Sequence, residues 1–129
     1  MSNKDGLIKS IDPKSAVLAS WPVPEEDILQ GAPAPSGKIL WQSDNQCLLN
    51  GVWSCTPGSF QFDFTWDETI YFIDGQVEIS DQSGYSQIYN AGDYIHISKG
   101  TKTVWNANQT LLKVFYIRSD VPVVFLICY

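Results

Sequence analysis

The segment FQFDFTWDETIYFIDG, residues 60–75, decides how this chain folds. In its first half, aromatic and polar residues alternate strictly: Phe60, Gln61, Phe62, Asp63 and Phe64. A period of two is typical of a β-strand with one apolar face. After Glu68 a second apolar run begins, and it ends at the turn signal Asp74–Gly75. The segment therefore predicts two consecutive strands that carry polar residues at fixed positions.

The same β signal extends along the chain from residue 39 onward. Short apolar or alternating runs predict strands at 39–42, 47–55, 59–64, 69–73, 76–81, 86–90, 94–98, 102–107, 111–117 and 123–129. Glycine, proline, asparagine and aspartate separate these runs, and no helical period lies between them. Short strands at this spacing predict an all-β domain, either an antiparallel sandwich or a barrel.

Residues 1–38 have a different composition, since they contain five of the seven prolines. Proline fixes φ and lacks an N–H donor, so this part predicts an irregular arm in which Trp21 anchors the chain to the domain. A short helix is possible at 25–31. We therefore expect an N-terminal arm and loop at residues 1–38 and one β-barrel domain at residues 39–129.

The charge of the chain argues against several classes of partner. With 14 acidic and 8 basic residues the formal charge is −6, and the lysines and arginines form no cluster. We expect no nucleic-acid partner and no membrane partner, because both need a basic surface. An odd number of cysteines without a CxxC motif, namely Cys47, Cys55 and Cys128, indicates reduced thiols and a cytoplasmic location.

The spacing of several residues resembles the cupins, which are small jelly-roll β-barrels. Glu68 and Gly75 keep the E-x6-G part of the first cupin motif, and Gly92 and Gly100 keep two glycines of the second. The segments GVWSCTPGSF at 51–60 and AGDYIHISKGTKTVW at 91–105 are similar to the ureidoglycine-aminohydrolase-like small cupins. The resemblance implies a single cupin-type jelly-roll barrel preceded by the proline-rich arm.

The resemblance also implies where a metal site would lie. Cupin metal sites use three histidines and one glutamate, and the corresponding positions here are Gln61, Asp63, Glu68 and Thr103. Because none of these is histidine, we expect no bound transition metal and no cofactor. The four residues remain candidates for binding a ligand.

The sequence leaves open which face of the strand at 59–64 is buried. The alternation alone favours the phenylalanines in the core, with Gln61 and Asp63 in water. The cupin frame implies the opposite, with Gln61 and Asp63 at the barrel mouth and the phenylalanines outside. We expect the second arrangement, because the register of Glu68 and Gly75 supports it independently.

Glu68 is the candidate catalytic residue. A carboxylate beside Ile70 and Phe72 would be partly desolvated and could act as a general acid or base, or could simply be held by hydrogen bonds. Trp53 and Trp105 are candidates for stacking against a ligand.

These observations predict a small cupin with a degenerate metal site that binds a small polar metabolite in its barrel. The alternative is an enzyme that acts on a ureide-like amide or a sugar derivative. We also expect a homodimer, in which the partner or the arm covers Phe60, Phe62 and Phe64.

Overall fold

Short β-strands make up most of the regular structure of residues 7–124, the part of the chain that the computed structural model describes. The strands are β1 (Ala19–Ser20), β2 (Ile28–Gly31), β3 (Pro35–Gln42), β4 (Leu48–Cys55), β5 (Gly58–Asp63), β6 (Asp67–Asp74), β7 (Gln76–Asp81), β8 (Ser86–Asn90), β9 (Tyr94–Ile97), β10 (Lys102–Ala107) and β11 (Leu111–Arg118). One 3₁₀ turn lies at Glu25–Asp27. The predicted all-β class is confirmed.

The strands form two antiparallel sheets, with the orders β1-β3-β4-β11-β6-β9 and β2-β5-β10-β7-β8. From β4 onward the chain passes from one sheet to the other at every connection except the one between β7 and β8, which pair with each other in the second sheet. This arrangement confirms the expected cupin-type jelly roll. We call the space between the two sheets the lumen.

Inward and outward side chains alternate along the central strands, as the period of two requires. On β10 the buried residues are Thr103, Trp105 and Ala107, and on β6 they are Glu68, Ile70 and Phe72. Trp105 is the largest fully buried side chain, and its ring stacks on that of Phe60 with the centroids 5.9 Å apart. The core is therefore built around aromatic rings contributed by both sheets.

The prediction for the direction of β5 is wrong. Phe60 and Phe64 are buried and Phe62 is half-buried in the lumen, whereas Gln61 and Asp63 are exposed on the outer face. Burial of each phenyl ring contributes about 1.5–3 kcal/mol, and the opposite direction would expose all three. The alternation alone predicted the correct face. Because the phenylalanines face the lumen, they need no cover from a partner subunit. The homodimer stays a prediction, but it is no longer supported by an exposed phenylalanine face.

The segment predicted as an arm contributes β1 to one sheet and β2 to the other, and β3 begins inside it at Pro35. The chain between β1 and β2 therefore crosses from one sheet to the other, and we call residues 21–24 the strap. The proposed helix at 25–31 is limited to the 3₁₀ turn, and residues 28–31 form β2 instead. The division of the chain at residue 38 stays a prediction.

Trp21 anchors the strap to the domain, as the sequence predicted. Its backbone N–H donates to the carbonyl of Pro35 at 3.0 Å, and its ring lies 6.0 Å from that of Phe115. Gly37 makes this position possible, because a Cβ added there would lie 2.6 Å from the indole ring. The glycine therefore provides the space into which Trp21 packs.

The last predicted strand, at 123–129, falls largely outside the described residues, as does Cys128. Val123 is buried outside any strand, and its N–H donates to the carbonyl of Gln46 at 2.9 Å. Within residues 7–124, no helix has the length and apolar character needed to cross a membrane.

Candidate ligand site in the lumen

A cavity of about 380 Å³ opens in the lumen beside the strap. Half of the residues that line it are aromatic: Trp21, Trp53, Phe60, Phe62, Phe64, Trp66, Trp105 and Phe115. Two charged side chains, Glu68 and Lys113, lie among them. A concave, mostly apolar site with a few polar groups is typical of a small-molecule site.

Glu68 and Lys113 form a buried ion pair in this cavity. Nζ of Lys113 donates to Oε2 of Glu68 at 2.7 Å, and the two side chains are only 7% and 5% exposed. They lie on neighbouring strands, Glu68 on β6 and Lys113 on β11. Both charges lose most of their hydration here, so each depends on the other for stabilisation.

Aromatic groups supply further contacts to both charges. The ammonium group of Lys113 lies 4.6 Å from the ring centroid of Trp53 and 5.1 Å from that of Trp105, distances at which a cation is attracted to an aromatic face. The indole N–H of Trp66 donates to Oε1 of Glu68 at 2.9 Å. Each carboxylate oxygen therefore has one donor, and the ion pair is fixed from several sides.

Three of the predicted site residues line this cavity, namely Glu68, Trp53 and Trp105. Gln61 and Asp63 lie on the other side of β5, where the amide group of Gln61 donates to Oδ1 of Asp27 at 3.2 Å. The expected convergence of these two residues with Glu68 therefore does not occur. The prediction failed because the count back from Glu68 to the second histidine position of the cupin motif used four intervening residues. With three intervening residues, the two histidine positions fall on Phe62 and Phe64, which face the lumen.

Thr103 is buried and acts within the core. Its hydroxyl donates to the carbonyl of Phe62 at 2.8 Å and accepts the indole N–H of Trp105 at 3.0 Å. These two bonds fix the Trp105 ring against β5. Thr103 thus positions a wall of the cavity.

Lys113 was not identified from the sequence, although its position contained a signal. Leu111, Phe115 and Ile117 alternate with outward residues on β11, and Lys113 occupies the inward phase between them. A lysine in the apolar phase of a strand indicates a buried charge, which requires a partner. Glu68, in the inward phase of β6, is that partner.

The residues at the cupin metal position do not fit a metal ion. Phe62 and Phe64 offer no ligand atoms, the Thr103 hydroxyl already makes two hydrogen bonds, and Lys113 balances the charge of Glu68. Over residues 7–124, no three histidine, cysteine, aspartate or glutamate side chains come together as a metal site would require. In the described chain, the cation beside Glu68 is an ammonium group.

Cys55 is a buried thiol in the core next to this site. Burial raises its pKa to about 12, and the positive charge of Lys113 opposes part of this effect. The thiolate is the nucleophilic form, so Cys55 does not suit nucleophilic catalysis. The single histidine, His96, is exposed, and its Nδ1 lies 3.2 Å from Oγ1 of Thr69.

Comparison with known proteins gives a family and a set of similar folds. The sequence profile of the EutQ-like cupin domain matches residues 44–115, which is more than half of the chain. No curated protein matches the sequence. The EutQ protein of Clostridium difficile is similar in structure, with a TM-score of 0.70 and 23% identity over 91% of this chain and 92% of that one.

Two further solved structures share the fold. A protein of unknown function from Pseudomonas syringae, of the DUF861 family, gives a TM-score of 0.74 at 23% identity over 81% of this chain. This match spans 45% of the Pseudomonas protein, less than half of its length. The Cnp3 cupin domain of Schizosaccharomyces pombe gives a TM-score of 0.64 at 9% identity, over 86% of this chain and 74% of that one. At these identities the likeness establishes the fold alone.

Proposed function

This chain belongs to the EutQ-like cupin family, and from the chemistry of its lumen we propose that it binds a small, uncharged metabolite in the cavity beside the strap. The observation that carries the proposal is the Glu68–Lys113 ion pair, which lies in a cavity otherwise walled by aromatic and aliphatic side chains. A polar group of the ligand would face the ion pair, and its apolar body would lie against the rings.

The ion pair selects for a ligand that both donates and accepts hydrogen bonds. An ammonium group has three N–H donors, and a carboxylate has about four acceptor positions. The hydrogen bond from Lys113 to Glu68 uses one ammonium donor and one acceptor position on Oε2. The hydrogen bond from Trp66 uses one acceptor position on Oε1. Amides, ureides and hydroxyl groups can use the remaining donors and acceptors together.

The charge of the site argues against ionic ligands. Because Glu68 and Lys113 neutralise each other, an anion or a cation entering the cavity would find no excess charge to balance its own. Burial of an unpaired charge is costly, whereas a neutral amide keeps its hydrogen bonds. The proposed selectivity is therefore for neutral molecules over charged molecules of the same shape.

Three compounds of nearly equal size test this selectivity, namely benzamide, benzoate and benzylamine. We expect benzamide to raise the melting temperature and to change the tryptophan fluorescence, because Trp53 and Trp105 form the cavity wall. Benzoate and benzylamine should bind at least about tenfold more weakly, which corresponds to 1.4 kcal/mol. Equal or tighter binding of either ion would contradict the proposal.

Two variants locate the binding. Trp53→Leu should weaken benzamide binding, because it removes one face of the cavity. Asp63→Asn provides the matched control, since Asp63 is exposed on the outer face of β5 and should leave binding unchanged. An effect of Asp63→Asn with none of Trp53→Leu would place the site outside the lumen.

Hydrolysis of a ureide-like amide is a second candidate function, and the placement of Glu68 in the cavity favours it. The Glu68 carboxylate could accept a proton from an attacking water molecule, while Lys113 would balance charge on the amide oxygen. Release of ammonia from phenylurea, abolished in Glu68→Gln, would support this activity. Binding without ammonia release would leave the chain as a binding protein.

A further inference from the structure

We propose that Lys113 captures small aldehydes and ketones by forming a protonated imine in the lumen cavity. This inference rests on the proposed function, because the carbonyl compound must first occupy the cavity. It starts from a geometry that binding alone does not require. A primary amine, 7% exposed, lines an aromatic cavity and has a carboxylate oxygen 2.7 Å from its nitrogen. Lysines desolvated in apolar pockets are the usual amines for Schiff-base chemistry.

Glu68 provides the proton transfers that imine formation needs. Oε2 of Glu68 accepts a proton from the Lys113 ammonium, and the free amine attacks the carbonyl carbon to form a C–N bond. Glu68 returns this proton to the carbinolamine oxygen, then takes a second proton from the carbinolamine nitrogen and delivers it to the hydroxyl group. The nitrogen lone pair forms the C=N bond as the C–O bond breaks, and water leaves. The balance is Lys–NH₃⁺ plus R–CHO giving Lys–NH⁺=CHR plus H₂O, so no oxidant or reductant is consumed.

The surroundings of Nζ suit the product as well as the free lysine. A protonated imine keeps the positive charge on the same nitrogen. Trp53 and Trp105, whose ring centroids lie 4.6 and 5.1 Å from Nζ, attract either cation, and Glu68 is the counter-ion for both. Capture of the carbonyl compound therefore does not leave a buried charge without its partners.

The cavity also limits which carbonyl compounds can react and how long the product lasts. Its volume of about 380 Å³ and its aromatic walls admit a small aldehyde with an apolar body. The Lys113 side chain is only 7% exposed, and poor access of water to its nitrogen slows hydrolysis of the imine. The proposed class is small aromatic or aliphatic aldehydes and ketones, with aldehydes reacting faster.

The test uses the full chain, benzaldehyde at a limiting concentration and sodium cyanoborohydride to reduce the imine. We expect intact mass spectrometry to show a single adduct, and peptide mapping to place it on Lys113. Lys38, Lys99 and Lys102 are exposed internal references in the same protein, and Lys113 should react at least about tenfold faster than each. Preferential labelling of these three surface lysines, with little label on Lys113, would overturn the proposal.

Two variants test the roles of the pair. Lys113→Arg keeps the charge but cannot form an imine, so the selective adduct should disappear. Glu68→Gln should slow adduct formation by about tenfold or more, because it removes the proton acceptor. A full rate in Glu68→Gln would overturn the role of Glu68. If either variant fails to fold, peptide mapping of the adduct on the unsubstituted chain still tests the proposal.

Benzyl alcohol separates this inference from the proposed function, because it has the same body and no carbonyl group. Benzyl alcohol could quench tryptophan fluorescence saturably while benzaldehyde forms no adduct on Lys113. This result would contradict imine formation and would still support ligand binding. Neither binding nor an adduct would contradict both proposals. Binding together with a Lys113 adduct is the result we expect.

Discussion

Nζ of Lys113 lies 2.7 Å from Oε2 of Glu68, and the two side chains are more than nine-tenths buried on adjacent strands. Removal of either partner leaves a buried charge without its counter-charge. Single substitutions such as Glu68→Gln or Lys113→Met should therefore lower the free energy of unfolding by about 3–5 kcal/mol.

The double variant, with both substitutions, should recover most of this loss, because it buries no uncompensated charge. Urea unfolding of the four proteins would give the coupling energy of the pair. Losses that simply add in the double variant would mean that the two side chains do not stabilise each other.

Gly37→Ala should loosen the strap. A Cβ at position 37 would lie 2.6 Å from the Trp21 indole, so the ring must move away from Phe115. We expect a loss of about 1–3 kcal/mol in the free energy of unfolding and easier quenching of tryptophan fluorescence by acrylamide. Ser36→Ala is the neighbouring control and should leave quenching unchanged. Unaltered quenching in Gly37→Ala would show that the glycine does not govern the Trp21 contact.

Cys55 should resist alkylation in the folded protein. With a pKa of about 12, only roughly one thiol in ten thousand is ionised at pH 8. Iodoacetamide in a Cys128→Ser background should therefore label the half-buried Cys47 and leave Cys55 unmodified until the protein unfolds. Rapid labelling of Cys55 in the native state would contradict the buried position of its side chain.

The raised pKa of Cys55 also predicts a dependence of stability on alkaline pH. Because the folded value exceeds the unfolded value of about 8.5, the stability from burying the neutral thiol is fully present below that pH and declines above it. Cys55→Val lacks a thiol and should show a smaller decline between pH 8 and pH 10. Parallel curves for the two proteins would argue against this linkage.

Asp67 should give the opposite dependence in acid. The backbone N–H of Lys99 and the guanidinium of Arg118 hold the pKa of Asp67 below its ordinary value. Its contribution is therefore present above the unfolded pKa of about 3.9 and is lost as the pH falls through the lower folded value. The stability difference between the unsubstituted chain and Asp67→Asn should shrink between pH 6 and pH 3. A difference that does not change with pH would contradict the assigned contacts.

Most strands could be predicted because the period of two is a local signal, and the jelly-roll class was implied by the resemblance to the cupins. The face of β5 was assigned wrongly because one residue of spacing reverses every side chain of a strand. The alternation of Phe60 and Phe62 with Gln61 reflects directly which face of β5 is buried. The count back from Glu68 to the histidine positions of the cupin motif depended instead on the length of the connection between β5 and β6. For a strand with one strongly apolar face, its own pattern is the better guide.

Part of the candidate site could be predicted and part could not. Glu68 was identified from the E-x6-G spacing of the cupin resemblance, and Trp53 and Trp105 were identified as rings able to stack on a ligand. All three line the cavity. Lys113 lies 45 residues from Glu68 in sequence, and only the pairing of β6 with β11 brings the two together. Long-range pairing of this kind has no local signature beyond the unusual phase of the lysine.

The place of β11 in the sheet order has a consequence for how the protein is made. It is the last of the described strands to be synthesised, yet it lies between β4 and β6 and pairs with both along its length. On the ribosome, the sheet that contains it therefore stays open at its centre until Arg118 has emerged. Until then, β4 and β6 have no strand between them and could pair with the wrong partner. The Glu68 carboxylate also has no counter-charge until β11, which carries Lys113, inserts between them. Such non-local closure is typical of domains that fold in milliseconds to seconds.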